Sequence, residues 1–366
     1  MISRASLLAS DRACKTAMVF LFVLAHSLFA AAEVSPWGRF VTSTAIVSNP
    51  VTHKIYAVCE GAGSIAVIDA ATGSIRTVAV GREPISIAVN RRTNRIYVAN
   101  DGGASVSVID GKSDSVVATI PVARLPYTLA VDESTNKVYV SHTYTGSVTV
   151  IDGATDTTTS LKIGDADGVA VDPKGGKVFL YTYEDADIRI LDEATGAVTK
   201  VAVGPHIWGM VFDESSSTLY LAHTSTDQIV ALDENSHTVS TIPVGKIPCA
   251  LAVNPETHRL YVANYGDDTV SIIDMRAHRV TATLPVGRHP QAATVDSRSN
   301  RIYLANLHGD SVTAIDGAKD TIISTLSAGS HPYALAVDSS SGSLYAANYA
   351  SPWVTKVNDG LHFVRK

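Results

Sequence analysis

The stretch RIYVAN, Arg95–Asn100, decides the fold of this chain, because it is spelled again as RLYVAN at Arg259–Asn264 and as RIYLAN at Arg301–Asn306. Its aromatic recurs at Tyr56, Tyr97, Tyr139, Phe179, Tyr220, Tyr261, Tyr303 and Tyr345, in steps of 40 to 42 residues. A second marker keeps the same step. The Asp that closes VxVID stands at Asp69, Asp110, Asp152, Asp192, Asp233, Asp274 and Asp316, with Asn358 in the eighth place. A fixed period of this length is the signature of a repeat architecture.

Each unit reads as four short strands. In the sixth they are CALAVN, RLYVAN, TVSIID and VTATLPVG, separated by turn-forming residues and without helical periodicity. Strands apolar on both faces need cover on both faces, which four-stranded sheets packed around an axis supply. The expected fold is therefore all-β, a β-propeller of four-stranded antiparallel blades. Eight blades are expected if LHFVR, 361–365, is the last outer strand; seven blades plus an irregular terminal piece is the alternative. Pro121, Pro243 and Pro285 place the fourth strand at the rim, where a missing N–H is tolerated. The continuously apolar first strand then lines the axis.

The run PVGxxPxxxAVNxxTxRLYVANxxxxTVSIID resembles the YVTN-repeat β-propellers, the YncE-like and surface-layer-associated group of exported bacterial and archaeal proteins. The resemblance covers the chain after residue 32. It implies the propeller fold but no particular activity, since the repeated letters are those that build a blade.

Residues 1–32 differ from the rest. Arg4, Arg12 and Lys15 precede an apolar stretch, 17–32, that ends in Ala30, Ala31 and Ala32. That is the pattern of a cleavable secretory signal. The domain plan is a leader over 1–32 and one propeller over 33–366, exported to the periplasm or secreted, with a monomer expected. Of the three cysteines, Cys14 falls in the leader, and Cys59 and Cys249 fall on non-neighbouring units and are not expected to pair. A net charge of −6 without a long basic run gives no general footprint for nucleic acid.

The repeat supplies its own control for site residues. The turn between first and second strands carries His53, Asn94, Asn136, Gly176, Ser217, His258, Asn300 and Gly342 in one slot. These types favour positive φ, so His53 and His258 read as turn residues. The turn after VID does the same with Gly73, Asp114, Asp156, Gly196, His237, His278 and Asp320. The VID aspartates read as caps of that turn. Both turns lie on one face, the turn face. The loops after YVAN and the VGxxP junctions between blades lie on the other, the junction face, together with His142, His206, His223, His289, His308 and His331.

The fourth unit departs most from the pattern. Its junction GDADG is one residue short and carries Asp165 and Asp167, and its second strand runs into LYTYEDADI with Glu184 and Asp185. With His142 on blade three and His206, Trp208 and His223 on blade five, these acids form the candidate ligand site. Asp165, Asp167, Glu184 and His206 are the candidate ligands of a divalent cation. Four cations in the junction slot, Arg82, Arg124, Lys246 and Arg288, near Tyr127, Trp208 and Tyr333, suit an anion or single-stranded nucleic acid. Arg95, Arg259 and Arg301 lie at the opposite strand ends and read as solubility residues.

There is no C-x-x-C-H for covalent haem, no G-x-S-x-G, no P-loop and no H-E-x-x-H. The junction-face histidines leave room only for a non-covalent haem. With no complete catalytic set, the expected function is a binding module for a small ligand or an envelope protein. A metal-assisted lactonase, hydrolase or lyase is the alternative built on the fourth unit. A surface-layer structural role is the alternative implied by the resemblance.

Overall fold

Each forty-residue unit folds into one antiparallel sheet whose four strands lie side by side in chain order, and there are eight such sheets. The computed structural model describes residues 44–349, 354–357 and 362–364. The blades span 46–79, 84–121, 126–161, 168–202, 207–243, 248–285, 290–327 and 332–364. The eighth is completed by His362–Val364, which pairs with Val354–Lys356, so the eight-bladed expectation holds. The proposed leader lies outside the described residues, as does Cys14. Among the described residues the helical segments are single 3-10 turns, such as Leu307–Gly309, and no helix is long and apolar enough to cross a membrane.

First strands of neighbouring blades touch one another, and that of blade one, Ile46–Asn49, touches that of blade eight, Pro332–Asp338, which closes the ring. Fourth strands such as Ser115–Pro121 are mostly exposed, as the prolines predict. The core lies between blades. Tyr97, Val106 and Val108 of blade two pack with Leu129, Val138 and Val140 of blade three, and Tyr220, Ile229 and Ala231 of blade five pack with Leu260 and Val262 of blade six. Each fully buried side chain of this size contributes about 1.5–3 kcal/mol, so every blade depends on its neighbour for most of its stability. Cys59 and Cys249 do not pair; Cys249 is a buried thiol whose Sγ donates to the Pro290 carbonyl at 3.2 Å.

Six of the eight inner strands share a bulge where they leave the junction face. The register shifts between Pro84 and Ser86, and at the corresponding places in blades three, five, six, seven and eight. Blade four has no such shift, with Gly168 opposite Tyr181. The residue missing from its short junction is the bulged one.

On the turn face all eight residues of the first slot have positive φ, including His53 at 55° and His258 at 52°, and so do all seven of the second, including His237 and His278. These histidines are placed by the backbone. Every VID aspartate accepts hydrogen bonds from the N–H groups two and three residues on: Asp110 Oδ1 takes Lys112 N at 3.1 Å and Ser113 N at 2.8 Å. The cations before the Tyr slot do more than solubilise strand ends. Lys54 of blade one pairs with Asp114 of blade two at 2.7 Å, and Arg95 of blade two with Asp156 of blade three at 2.8 Å, so these two tie blades together, while Arg259 pairs with Asp274 of its own blade at 3.2 Å. Arg301 stays exposed.

Candidate functional site on the junction face

Backbone bonds assemble this face. The last position of the RIYVAN stretch, its Asn slot, is followed in six blades by an N–H that donates to the carbonyl of the junction residue of the same blade, among them Asp101 N to Glu83 O at 2.9 Å, Tyr265 N to Ile247 O at 3.0 Å, Leu307 N to His289 O at 2.9 Å and Tyr349 N to His331 O at 3.0 Å. The Asn slot itself lies beneath the surface. Asn100 is fully buried and donates to Ser105 and Ser107, Asn264 to Thr269 and Ser271, and Asn306 to Ser311 and Thr313. The junction glycine rests on this amide. A Cβ on Gly81 would lie 2.5 Å from Asn100 Cγ, and one on Gly287 2.6 Å from Asn306 Cγ.

His142 and His223 occupy the same slot and are buried with it. His142 Nε2 meets Thr149 Oγ1 at 2.8 Å and Nδ1 meets the Arg124 carbonyl at 3.1 Å. His223 Nδ1 meets Thr226 Oγ1 at 2.9 Å, and its Nε2 lies under Gly204. Burial pushes the pKa of both below the usual imidazole value, with His206 adding to the shift at His223. Both therefore substitute for the amide as neutral rings inside the blade.

Blade four solves the same problem with different residues. Thr182 fills the Asn slot and Arg189, buried, replaces the third-strand Ser or Thr. The guanidinium donates to the carbonyls of Ile163, at 2.9 Å, and Asp165, and lies 3.4 Å from Thr182 Oγ1 and 3.7 Å from Asp185. The acids are committed locally. Asp165 accepts the Gly146 N–H, Asp185 accepts the Thr182 hydroxyl, and Asp167 accepts Tyr183 N at 2.8 Å. Burial raises the Asp167 pKa, helped by Asp165 and Asp185. Glu184 is exposed. Among the described residues, no group of three or more His, Cys, Asp or Glu side chains stands at metal-holding spacing. Of the predicted cluster, the structure brings Asp165, Asp167 and Asp185 around Arg189, with His206 beside Tyr183 at 5.1 Å between ring centroids. His142 and His223 stay below, and Trp208 faces away toward blade six.

Trp208 begins a series of ring contacts that crosses four blades. It stacks on Tyr265 at 6.3 Å, and Tyr265 stacks on His289 at 4.5 Å and 22°. His289 meets His308 edge-on at 4.5 Å and 82°, and His308 meets His331 at 5.5 Å and 85°. Tyr333 and Tyr349 pair alongside in blade eight at 4.2 Å. The series rests on a strained backbone: the junction residues Glu83, Leu125, His206, Ile247, His289 and His331 all have φ between 51° and 67°. Carboxylates hold several of them, Asp227 taking the N–H of Ile247 at 2.9 Å, Asp268 that of His289 at 2.7 Å and Asp310 that of His331 at 2.8 Å.

The histidines of this series are visible in the sequence on the correct face. Tyr265 and Tyr349 are not singled out there, although an aromatic directly after the Asn slot is a readable signal. Arg82, Arg124, Lys246 and Arg288 are all exposed on this face, and Lys246 and Arg288 adjoin the residues that flank Tyr265.

No protein-family model matches the chain, and no curated protein sequence matches it. Among solved structures it is similar to Kuenenia stuttgartiensis hydrazine synthase, with a TM-score of 0.62 and 18% identity over 79% of this chain and 98% of that one. It is also similar to dihydro-heme d1 dehydrogenase NirN in complex with DHE, with a TM-score of 0.68 and 15% identity over 87% of this chain and 73% of that one. At these identities the likeness is one of fold. The resemblance to YVTN-repeat proteins is thus carried by the repeat motifs alone, and the β-propeller fold is what this chain shares with its structural neighbours.

Proposed function

We propose that this chain is an exported binding module that holds a flat, anionic ligand on the junction face over blades five to eight. The observation that carries the reading is the ring series from Trp208 to His331, beside the exposed cations Lys246 and Arg288. Ring stacking supplies about 1–3 kcal/mol per stacked base in nucleic-acid complexes and tolerates many π-faced ligands. The cations add attraction for carboxylate or phosphate groups. Export rests on the leader pattern of residues 1–32.

This keeps the face expected from the sequence and moves its centre from blades three to five toward blades five to eight. The blade-four carboxylates are occupied as backbone and guanidinium partners, which favours binding over a metal-assisted hydrolase. Haemin is the first probe, because NirN, similar in fold, is a dihydro-heme d1 dehydrogenase; flavin mononucleotide is the second. Quenching of tryptophan fluorescence by at least one probe is expected, with affinity falling about tenfold in Trp208→Ala and in Tyr265→Ala, in line with the loss of one aromatic stack. The reading is overturned if neither probe binds, or if both variants bind like the parent.

A further inference from the structure

We propose that His289 and His308 form a binding site for a late first-row transition-metal ion of the copper or zinc class, open to an external ligand. The inference goes beyond the reading above: His289 and His308 belong to the same ring series, and what matters here is their facing Nδ1 atoms, not their ring faces. The two Nδ1 atoms point directly at each other within hydrogen-bonding contact. Each neutral imidazole has one lone-pair nitrogen, so two nitrogens turned inward must share a proton or bind one cation between them. Imidazole is a preferred ligand of zinc and copper.

The rings are held in this attitude by their surroundings. His289 sits at φ 52° with its N–H bound by Asp268 at 2.7 Å, and Tyr265 covers its face at 4.5 Å. His308 is in the 3-10 turn Leu307–Gly309, against the edge of His331. With nitrogen–metal bonds of about 2.0–2.1 Å, the two nitrogens part to roughly 3 Å around an ion, a small rotation of the partly exposed His308 ring. His331 borders the site, its Nδ1 2.8 Å from Ser330 Oγ. The protein thus supplies two ligands and leaves the remaining positions to water or to an anion.

The test uses the chain without an affinity tag, titrated separately with CuCl2 and ZnCl2, with MgCl2 as control. One equivalent of copper or zinc is expected to bind, copper giving nitrogen hyperfine structure in its electron paramagnetic resonance spectrum. Binding should weaken at least tenfold in His289→Phe and in His308→Asn, and be unchanged in the turn-face variant His278→Phe. Thermal unfolding of the metal-free variants checks that they fold, and His308→Asn changes only a partly exposed turn. Equal binding in parent and His289→Phe/His308→Asn double variant, or no binding of either ion, overturns the proposal. Loss of haemin and flavin binding alone leaves it standing.

Discussion

Thr182 and Arg189 of blade four hold the two positions that Asn100 and Ser107 hold in blade two, the second- and third-strand residues whose polar groups meet under the junction. In blade two an amide donates to a hydroxyl at 3.0 Å. In blade four a guanidinium reaches through the same space to the carbonyls of Ile163 and Asp165. The two solutions are alternatives, and mixing them leaves buried groups without partners. Arg189→Ser should therefore destabilise by about 2 kcal/mol, the usual cost of removing hydrogen bonds from a charged donor, and Thr182→Asn alone should also destabilise. Thr182→Asn combined with Arg189→Ser should recover part of that loss. Urea denaturation of the two single variants and the double variant measures the coupling.

The junction glycine is a spacing requirement. A Cβ at Gly245 would lie 2.5 Å from Asn264 Nδ2, and that amide is pinned by Thr269 and Ser271 at 2.9 Å each. Gly245→Ala should cost about 1–3 kcal/mol, as overpacking does. Gly61→Ala, where a Cβ meets nothing within 4 Å, should be close to neutral. A comparison of the two melting temperatures decides whether the glycine serves packing.

Glu234 and Asp172 crowd together between blades five and four, and burial with the Asp172 charge pushes the Glu234 carboxyl up to about 7. The folded state then holds this proton more tightly than the unfolded chain, whose glutamate titrates near 4.3. Stability from this pair is present at low pH and lost as pH rises through about 7. Glu234→Gln should raise the melting temperature at pH 8 by about 3 °C and change it little at pH 5. A variant whose gain is the same at both pH values would count against the shared proton.

The VID aspartates act in the opposite sense. Turn N–H groups hold Asp69, Asp110, Asp152, Asp233, Asp274 and Asp316 below the usual carboxylate range, and Lys177 and Thr195 do so for Asp192. Each contributes stability that is full above the unfolded value, about 3.9, and is lost as pH falls through the lower folded value. The urea midpoint should drop steeply below pH 4. Asp110→Asn should flatten that drop slightly while lowering the midpoint at pH 7.

The blade was readable from the sequence because its determinants are local and repeated. Proline marks the rim in three blades, Asn, Asp, Gly and His mark most of the positive-φ turns, and the Asp of VID marks the caps seven times over. The site was only half readable. His289, His308 and His331 could be placed on the junction face by counting strands, but their ring contacts with one another and with Tyr265 join residues from separate blades.

The Asn slot shows the limit most clearly. His142 and His223 stand where YVAN has its Asn and belong by sequence to the candidate ligand site, yet they are buried substitutes for an amide. Their burial depends on the glycine of the junction and on the third-strand partner, which sequence position alone does not bring together. Thus the sequence by itself determined the repeat, the strand order and the two faces, since periodicity and turn chemistry act within a few residues. Tertiary structure alone decided which side chains meet, because those meetings require the inner strands to bulge, neighbouring blades to dock and the ring to close.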